Sequence, residues 1–284
     1  MYLCAHGLSF NIKPTGRFFG GIPEPDDLKK DIELIKNSGF QGYEMWVEKL
    51  LSYLKQGSKE ELAGLVRDAG IKVPAFCFVG DFPDMDVHTA EPECAKDIFS
   101  VLSAVGCECG VYVVDPYEGL EREEAMTMAC DKLNMISDIA ADFGIKLAIE
   151  FIYDLPYLPD LASAIELMER SGKDNVGISL DTFHFYMSNS KLEDIARVPA
   201  GKIYGIHVNS CPDLPRDQMT DKDRLPPAKG VLPYAEIVDA CQKQGYDGHL
   251  SMEILHDDYW KLGPGADLKA IYDESKDALA KWCS

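Results

Sequence analysis

Four side chains able to ligate a metal stand near the ends of four successive apolar runs in the second half of the chain. KLAIEF (146–151) carries Glu150, GISLDTFHF (177–185) carries Asp181, YGIHVN (204–209) carries His207 and HLSMEIL (249–255) carries Glu253. One carboxylate near a strand end is usually a helix cap or a solvated loop group, and one histidine there is usually a satisfied polar group. Four in succession, each embedded in apolar sequence, call for another account, because an isolated buried charge is very costly unless it is paired, neutralised or metal-bound. We read them as metal ligands. Three carboxylates and one imidazole make a hard, oxygen-rich set. It favours Mn²⁺, with Mg²⁺, Co²⁺ or Zn²⁺ as alternatives, and disfavours copper. Glu150 and Glu253 are also the candidate acid/base pair. Carboxylates flanking an α-hydroxyketone can take a proton from carbon and return it elsewhere, while a bound cation polarises the carbonyl and steadies an enediolate.

Such groups meet only if the runs that carry them are neighbouring strands. Eight short apolar runs predict strands at Tyr2–Ala5, Gly42–Trp46, Lys72–Phe78, Gly110–Val114, Lys146–Phe151, Val176–Leu180, Ile203–Val208 and Gly248–Ile254. Their Val, Ile, Leu and aromatic content suits strands buried on both faces of a parallel sheet. Between them lie amphipathic stretches, among them Asp26–Ser38, Lys59–Ala69, Asp131–Phe143 and Leu161–Arg170, each followed closely by a glycine stop. Strands alternating with helices allow a closed barrel or an open doubly wound sheet. The open sheet lacks its signature, since no G-x-G-x-x-G follows strand one and no P-loop occurs. The expected fold is α/β, a (β/α)8 TIM barrel in a single domain spanning 1–284. Two long loops, 11–25 after strand one and 209–230 after strand seven, fall on the face where barrel enzymes place their chemistry.

Composition narrows the partners. With 28 basic and 48 acidic residues, the 284-residue chain carries a formal charge of −20. That argues against nucleic acid and anionic membrane, both of which want a basic face. A small neutral ligand or a cation fits. The nine cysteines are odd in number and irregularly spaced, without a C-x-x-C pair, so they read as thiols of a reducing compartment, with Cys107 and Cys109 structural. MYLCAHGLSF lacks the basic start of a signal peptide, and no apolar run reaches the roughly 18 residues of a membrane span. The expected location is the cytoplasm.

With these motifs in place, the chain resembles the xylose isomerase-like TIM barrel superfamily of sugar isomerases, epimerases and dehydratases, which also includes endonuclease IV. Within it the inosose isomerases are the nearest branch. IKLAIEF (145–151), DNVGISLDTFHFYMSNS (174–190) and MTDKDRLPPAKGVLPYAEIVDACQKQGYDGHLSMEIL (219–255) carry the likeness, followed by HDDYWKL. It is strong from about residue 130 onward, and the first 120 residues match in pattern rather than in motif. The resemblance implies metal binding by Glu150, Asp181, His207 and Glu253, with both glutamates doubling as acid/base groups. It further implies substrate contacts from His184 in the D-x-x-H element, from Arg224 in DKDR and from Glu44 in GYEMW. A sugar or cyclic polyol is the implied substrate, and the superfamily admits a homo-oligomer. Two departures bear on specificity. Pro227, Ala228, Lys229 and Gly230 stand where P-G-x-G is common, and Pro156 stands where ketose 3-epimerases tend to carry a further glutamate. The stretch around Phe18–Pro25 is longer than usual.

Other residues have plainer readings. His6, ending strand one, is placed to face the mouth and bind substrate. Trp46 reads as core and Lys229 as a solvated loop lysine. His88, His249 and His256 read as surface or loop histidines. The function expected is a divalent-metal-dependent isomerase or epimerase of a keto-polyol or ketose. The alternative in the same fold is a lyase or dehydratase acting on a keto-polyol or an oxidised glycoside. The DNA-repair branch wants more histidines and a basic face, and a non-catalytic sugar-binding barrel would make no use of Glu150 as a base.

Overall fold

The computed structural model describes residues 1–10, 23–79, 92–188 and 190–283. Eight parallel strands pair in sequence order and close, β1 lying against β8. They are β1 (Tyr2–His6), β2 (Gly42–Trp46), β3 (Ala75–Val79), β4 (Cys109–Val113), β5 (Lys146–Glu150), β6 (Val176–Asp181), β7 (Ile203–Val208) and β8 (His249–Met252). The helices around them include α1 (Asp27–Ser38), α2 (Val47–Leu54), α3 (Lys59–Ala69), α4 (Pro92–Ala104), α5 (Arg122–Asp142), α6 (Leu161–Ser171) and α7 (Thr182–Met187). Then come α8 (Leu192–Ile195), α9 (Tyr234–Lys243), α10 (Asp257–Trp260) and α11 (Ala266–Leu279). The barrel expected from the sequence is the fold observed.

Local chemistry sets the borders. β1 and β6 each run one residue further than expected, so His6 and Asp181 are the last residues of their strands. β3 starts at Ala75 rather than Lys72, because Pro74 has no N–H to give to a ladder and Lys72 makes only an isolated bridge to Gly42. α5 begins at Arg122, well before the expected Asp131. Its first turn, Arg122–Glu124, is exposed and charged, so the apolar periodicity that marks a helix is missing there. The glycine stops act as expected: α3 ends at Gly70 (φ 70°) and α6 at Gly172 (φ 62°), both left-handed and free of the Cβ penalty. Among the described residues eight cysteines are free, including Cys107, whose thiol donates to the Cys109 carbonyl at 3.3 Å. No helix among the described residues is long and apolar enough to cross a membrane.

Three features position the mouth. First, the β6–β7 register shifts between Ile178 and Ser179, so that Ile178 pairs with Ile203 and Ser179 with Gly205. The extra residue in β7, Tyr204, brings His207 opposite Asp181. Second, the loop after β7 is pinned by an antiparallel bridge, in which Ser210 and Leu225 exchange backbone hydrogen bonds of 2.7 and 2.8 Å. Arg224 is thereby turned into the barrel. Third, a buried ion pair holds the opposite side. Lys49 Nζ on α2 donates to Asp31 Oδ2 on α1 at 2.6 Å and to the Gly7 carbonyl at 3.0 Å, while Tyr43 Oη donates to the same carboxylate at 2.7 Å. This clamp fixes the chain just past His6.

Replacing Lys49 by Met removes a cation from the buried Asp31 carboxylate. Removal of one partner of a buried pair costs about 3–5 kcal/mol, to be read as a lower urea midpoint. Lys49→Met combined with Asp31→Asn recovers most of the loss.

Candidate functional site

The strand tips at the C-terminal mouth bring together every residue singled out from the sequence as a metal ligand or substrate contact. Glu150, Asp181, His207 and Glu253 are all buried, and one ligand atom from each lies within 4.8 Å of the others. His207 occupies the middle. Its Nδ1 donates to Glu150 Oε1 at 2.9 Å and lies 3.4 Å from Glu253 Oε2, while Nε2 donates to Glu44 Oε1 at 3.0 Å. Burial alone would push this imidazole toward its neutral form. The carboxylates of Glu44, Glu150 and Glu253 outweigh that and hold it protonated, well above its ordinary value.

Arg224 supplies the second positive charge. It is only 1% exposed, and its Nη1 donates to Asp181 Oδ2 at 2.6 Å and to Glu253 Oε2 at 2.9 Å. Its Nη2 reaches Asp221 Oδ1 at 2.9 Å and His184 Nε2 at 3.0 Å. A guanidinium only donates, so His184 accepts on Nε2 and its hydrogen is assigned to Nδ1. That Nδ1 is buried and has no hydrogen-bond partner among the described residues. Asp181 also caps α7, its Oδ1 accepting from the His184 backbone N–H at 2.7 Å. The helix-cap role and the ligand geometry therefore coexist in one carboxylate.

On the β1–β2 side, His6 Nε2 lies 3.8 Å from Glu44 Oε1 and His6 Nδ1 lies 3.7 Å from Glu253 Oε1. Burial would raise the Glu44 carboxyl, but the neighbouring imidazoles of His207 and His6 bring it down to about 2. Glu253 is also held well below the carboxylate range. Arg224, His6 and His207 overcome the burial that opposes ionisation.

The donors suit a divalent cation. Glu44, Glu150, Asp181 and Glu253 bring four carboxylates into a space that excludes water, against one guanidinium and the His207 proton. Buried negative charge in surplus of its partners is relieved by protonation or by a bound cation. Oxygen donors with one imidazole fit a hard or borderline metal.

Sequence reasoning missed three residues. Asn209 Nδ2 donates to Asp181 Oδ2 at 2.9 Å, while its Oδ1 accepts from Thr182 Oγ1 at 2.8 Å. Asp221 anchors Arg224. His249, read as a surface histidine, is instead buried inside the barrel, with Nε2 3.9 Å from Glu44 Oε2. Side chains two apart on a strand share a face, so residues 249, 251 and 253 point inward together, and that parity was the available signal. His256 is half-buried and caps α10 by accepting from the Asp258 N–H at 3.1 Å, and His88 lies outside the described residues. Trp46 packs in the core at 2% exposure, and Lys229 pairs with Glu274 on the outer surface at 3.1 Å. Residues 227–229 form a 3₁₀ turn in which Ala228 needs no positive φ. Of the loop at 11–25, residues 11–22 lie outside the described residues.

The buried His249 gives a pH test. Burial, its largest influence, lowers its pKa from 6.5 to about 4. Below about 6.5 the unfolded chain binds a proton that the folded chain refuses. Stability therefore falls as pH drops from about 6.5 to about 4, on the order of 3 kcal/mol for this group. Chemical denaturation of His249→Gln against wild type across that window should show the flatter profile in the variant, with equal slopes above pH 7.

Comparison with known proteins agrees with this architecture. A family model described as xylose isomerase-like TIM barrel matches residues 32–282. An inosose isomerase of Halalkalibacterium halodurans is 26% identical over 264 residues, spanning 91% of this chain and 93% of that protein. A D-psicose 3-epimerase of Agrobacterium fabrum is 27% identical over 179 residues, 59% of this chain and 58% of that one. Among solved structures, a crystal structure of the IOLI protein with a binding zinc atom superposes with a TM-score of 0.82 at 26% identity, covering 100% of both chains. The chain is an enzyme of the isomerase or epimerase type, and it belongs to the xylose isomerase-like TIM barrel family.

Proposed function

We propose that this protein is a divalent-metal-dependent isomerase or epimerase of a keto-polyol or ketose, of the inosose isomerase kind. The observation that carries the reading is the quartet Glu150, Asp181, His207 and Glu253, buried together on four adjacent strands. The likeness to inosose isomerases along nine-tenths of the chain supports the same conclusion. When bound, a divalent cation would supply Lewis acidity to a substrate carbonyl and offset the charge that develops there. Mn²⁺ is the metal the carboxylate-rich set favours; the zinc of the IOLI structure makes Zn²⁺ the first alternative.

The chain's own residues handle the protons. Glu253 is ionised even though buried, so its carboxylate is ready to accept a proton from a carbon next to the carbonyl. Glu150, whose Oε1 accepts from the same His207 nitrogen that Glu253 approaches, would in its protonated form return a proton to the neighbouring carbon. Asp181 and Arg224 keep Glu253 in place: both Asp181 Oδ2 and Glu253 Oε2 are bound to one guanidinium nitrogen. His184 Nδ1 is a buried donor with no partner among the described residues, suited to a polyol hydroxyl. The burial of the cluster keeps water from competing for the carbanionic intermediate.

Incubation of the protein, loaded in turn with Mn²⁺, Zn²⁺, Co²⁺ and Mg²⁺, with keto-inositols and free ketoses should give a product of unchanged mass with a moved carbonyl or inverted centre by NMR. Loss of water from the product would establish the dehydratase alternative instead. Glu150→Gln should lower kcat by about 10²–10⁴; turnover unaffected by that change would remove Glu150 from the chemistry.

A further inference from the structure

A second cluster at the mouth is not used by the proton transfer. One nitrogen of His6, one carboxylate oxygen of Glu44 and the thiol of Cys77 lie within 4.8 Å of one another, all buried. They come from β1, β2 and β3, beside the β5–β8 quartet. Three buried atoms here have no hydrogen-bond partner among the described residues: His6 Nε2, Glu44 Oε2 and, 3.9 Å beyond that oxygen, His249 Nε2. An unpartnered buried polar atom normally carries a substantial penalty, and His6 Nε2, 3.8 Å from Glu44 Oε1 and inside the cluster with Cys77, indicates a missing partner there. Glu44 Oε1 already accepts from His207, and Oε2 accepts no hydrogen bond among the described residues.

We propose that His6, Glu44 and Cys77 form a second cation site, distinct in its chemistry from the quartet. An imidazole, a carboxylate and a thiolate are a borderline-soft donor set, preferring Zn²⁺ or Co²⁺ to Mg²⁺ or Mn²⁺. Cys77 binds as the thiolate, and its proton passes to the buffer. In the metal-free protein His6 Nδ1 accepts from the Leu8 N–H at 3.3 Å, which leaves the ring hydrogen on Nε2. A cation on Nε2 transfers that hydrogen to Nδ1 and gives up the long contact to Leu8. The proposal assigns His6 and Glu44 to a cation and does not depend on the isomerase reading.

Cobalt is the probe, because a cysteine thiolate on Co²⁺ produces a near-ultraviolet charge-transfer band that oxygen and imidazole ligands do not. The metal-free full chain, titrated with Co²⁺ and analysed by dialysis and elemental analysis, should take up two equivalents, one of them with the band. Cys77→Ser, checked for folding by circular dichroism, should take up one equivalent and lose the band. Glu150→Ala/Asp181→Ala should lose the other equivalent and keep it, so failure of the quartet and failure of this site give different results. Absence of the band in saturated wild-type protein overturns the proposal without recourse to a variant. So does a band that survives Cys77→Ser, since it then comes from another thiol.

Discussion

A surplus of buried negative charge at one end of the barrel is the constraint around which the rest of the molecule is arranged. Four carboxylates share a space from which water is largely excluded, and in a medium of low polarity they cannot remain ionised without nearby positive charge. Arg224 and protonated His207 provide it, each touching two or more of them. This compensation is partial. The same electrostatics that make the cluster costly to fold suit it to a divalent cation, and they hold the Glu253 carboxyl well below its ordinary range.

Because the groups repel one another, their positions have to be imposed by backbone. A closed parallel barrel does this, since its strand tips converge on one mouth and register alone decides which residues meet. Two local devices refine the outcome: the extra residue in β7 that sets His207 beside Asp181, and the Ser210–Leu225 bridge that carries Arg224 inward. The Lys49–Asp31 pair plays the matching part at β1, where a buried cation holds the Gly7 carbonyl. Each is a polar interaction satisfied at both ends, which is why it defines a position rather than merely adding attraction.

Specificity within the family is expected to sit in loops. The PAKG segment at 227–230 adopts a 3₁₀ turn with Lys229 committed to Glu274 outside the barrel. Pro156 is exposed after β5, where it offers no acidic group to a substrate. Both features separate this mouth from one built with a flexible glycine pair and an extra glutamate.

The amino-acid pattern by itself determined the alternation of strand and helix, the glycine stops and the four strand-end donors. Each depends on short-range periodicity or on a charge placed against its apolar surroundings, and Glu150, Asp181, His207 and Glu253 were legible for that second reason. Family resemblance added His184, Arg224 and Glu44, which no local pattern singles out. Only the tertiary structure decided that Arg224 is bound to Asp181 and Glu253, that Asn209 holds Asp181 and Asp221 holds Arg224, and that His249 lies buried behind Glu44. Those contacts join residues from different strands and a long loop, and their formation depends on barrel closure, β7 register and loop pinning, quantities that no window of sequence contains.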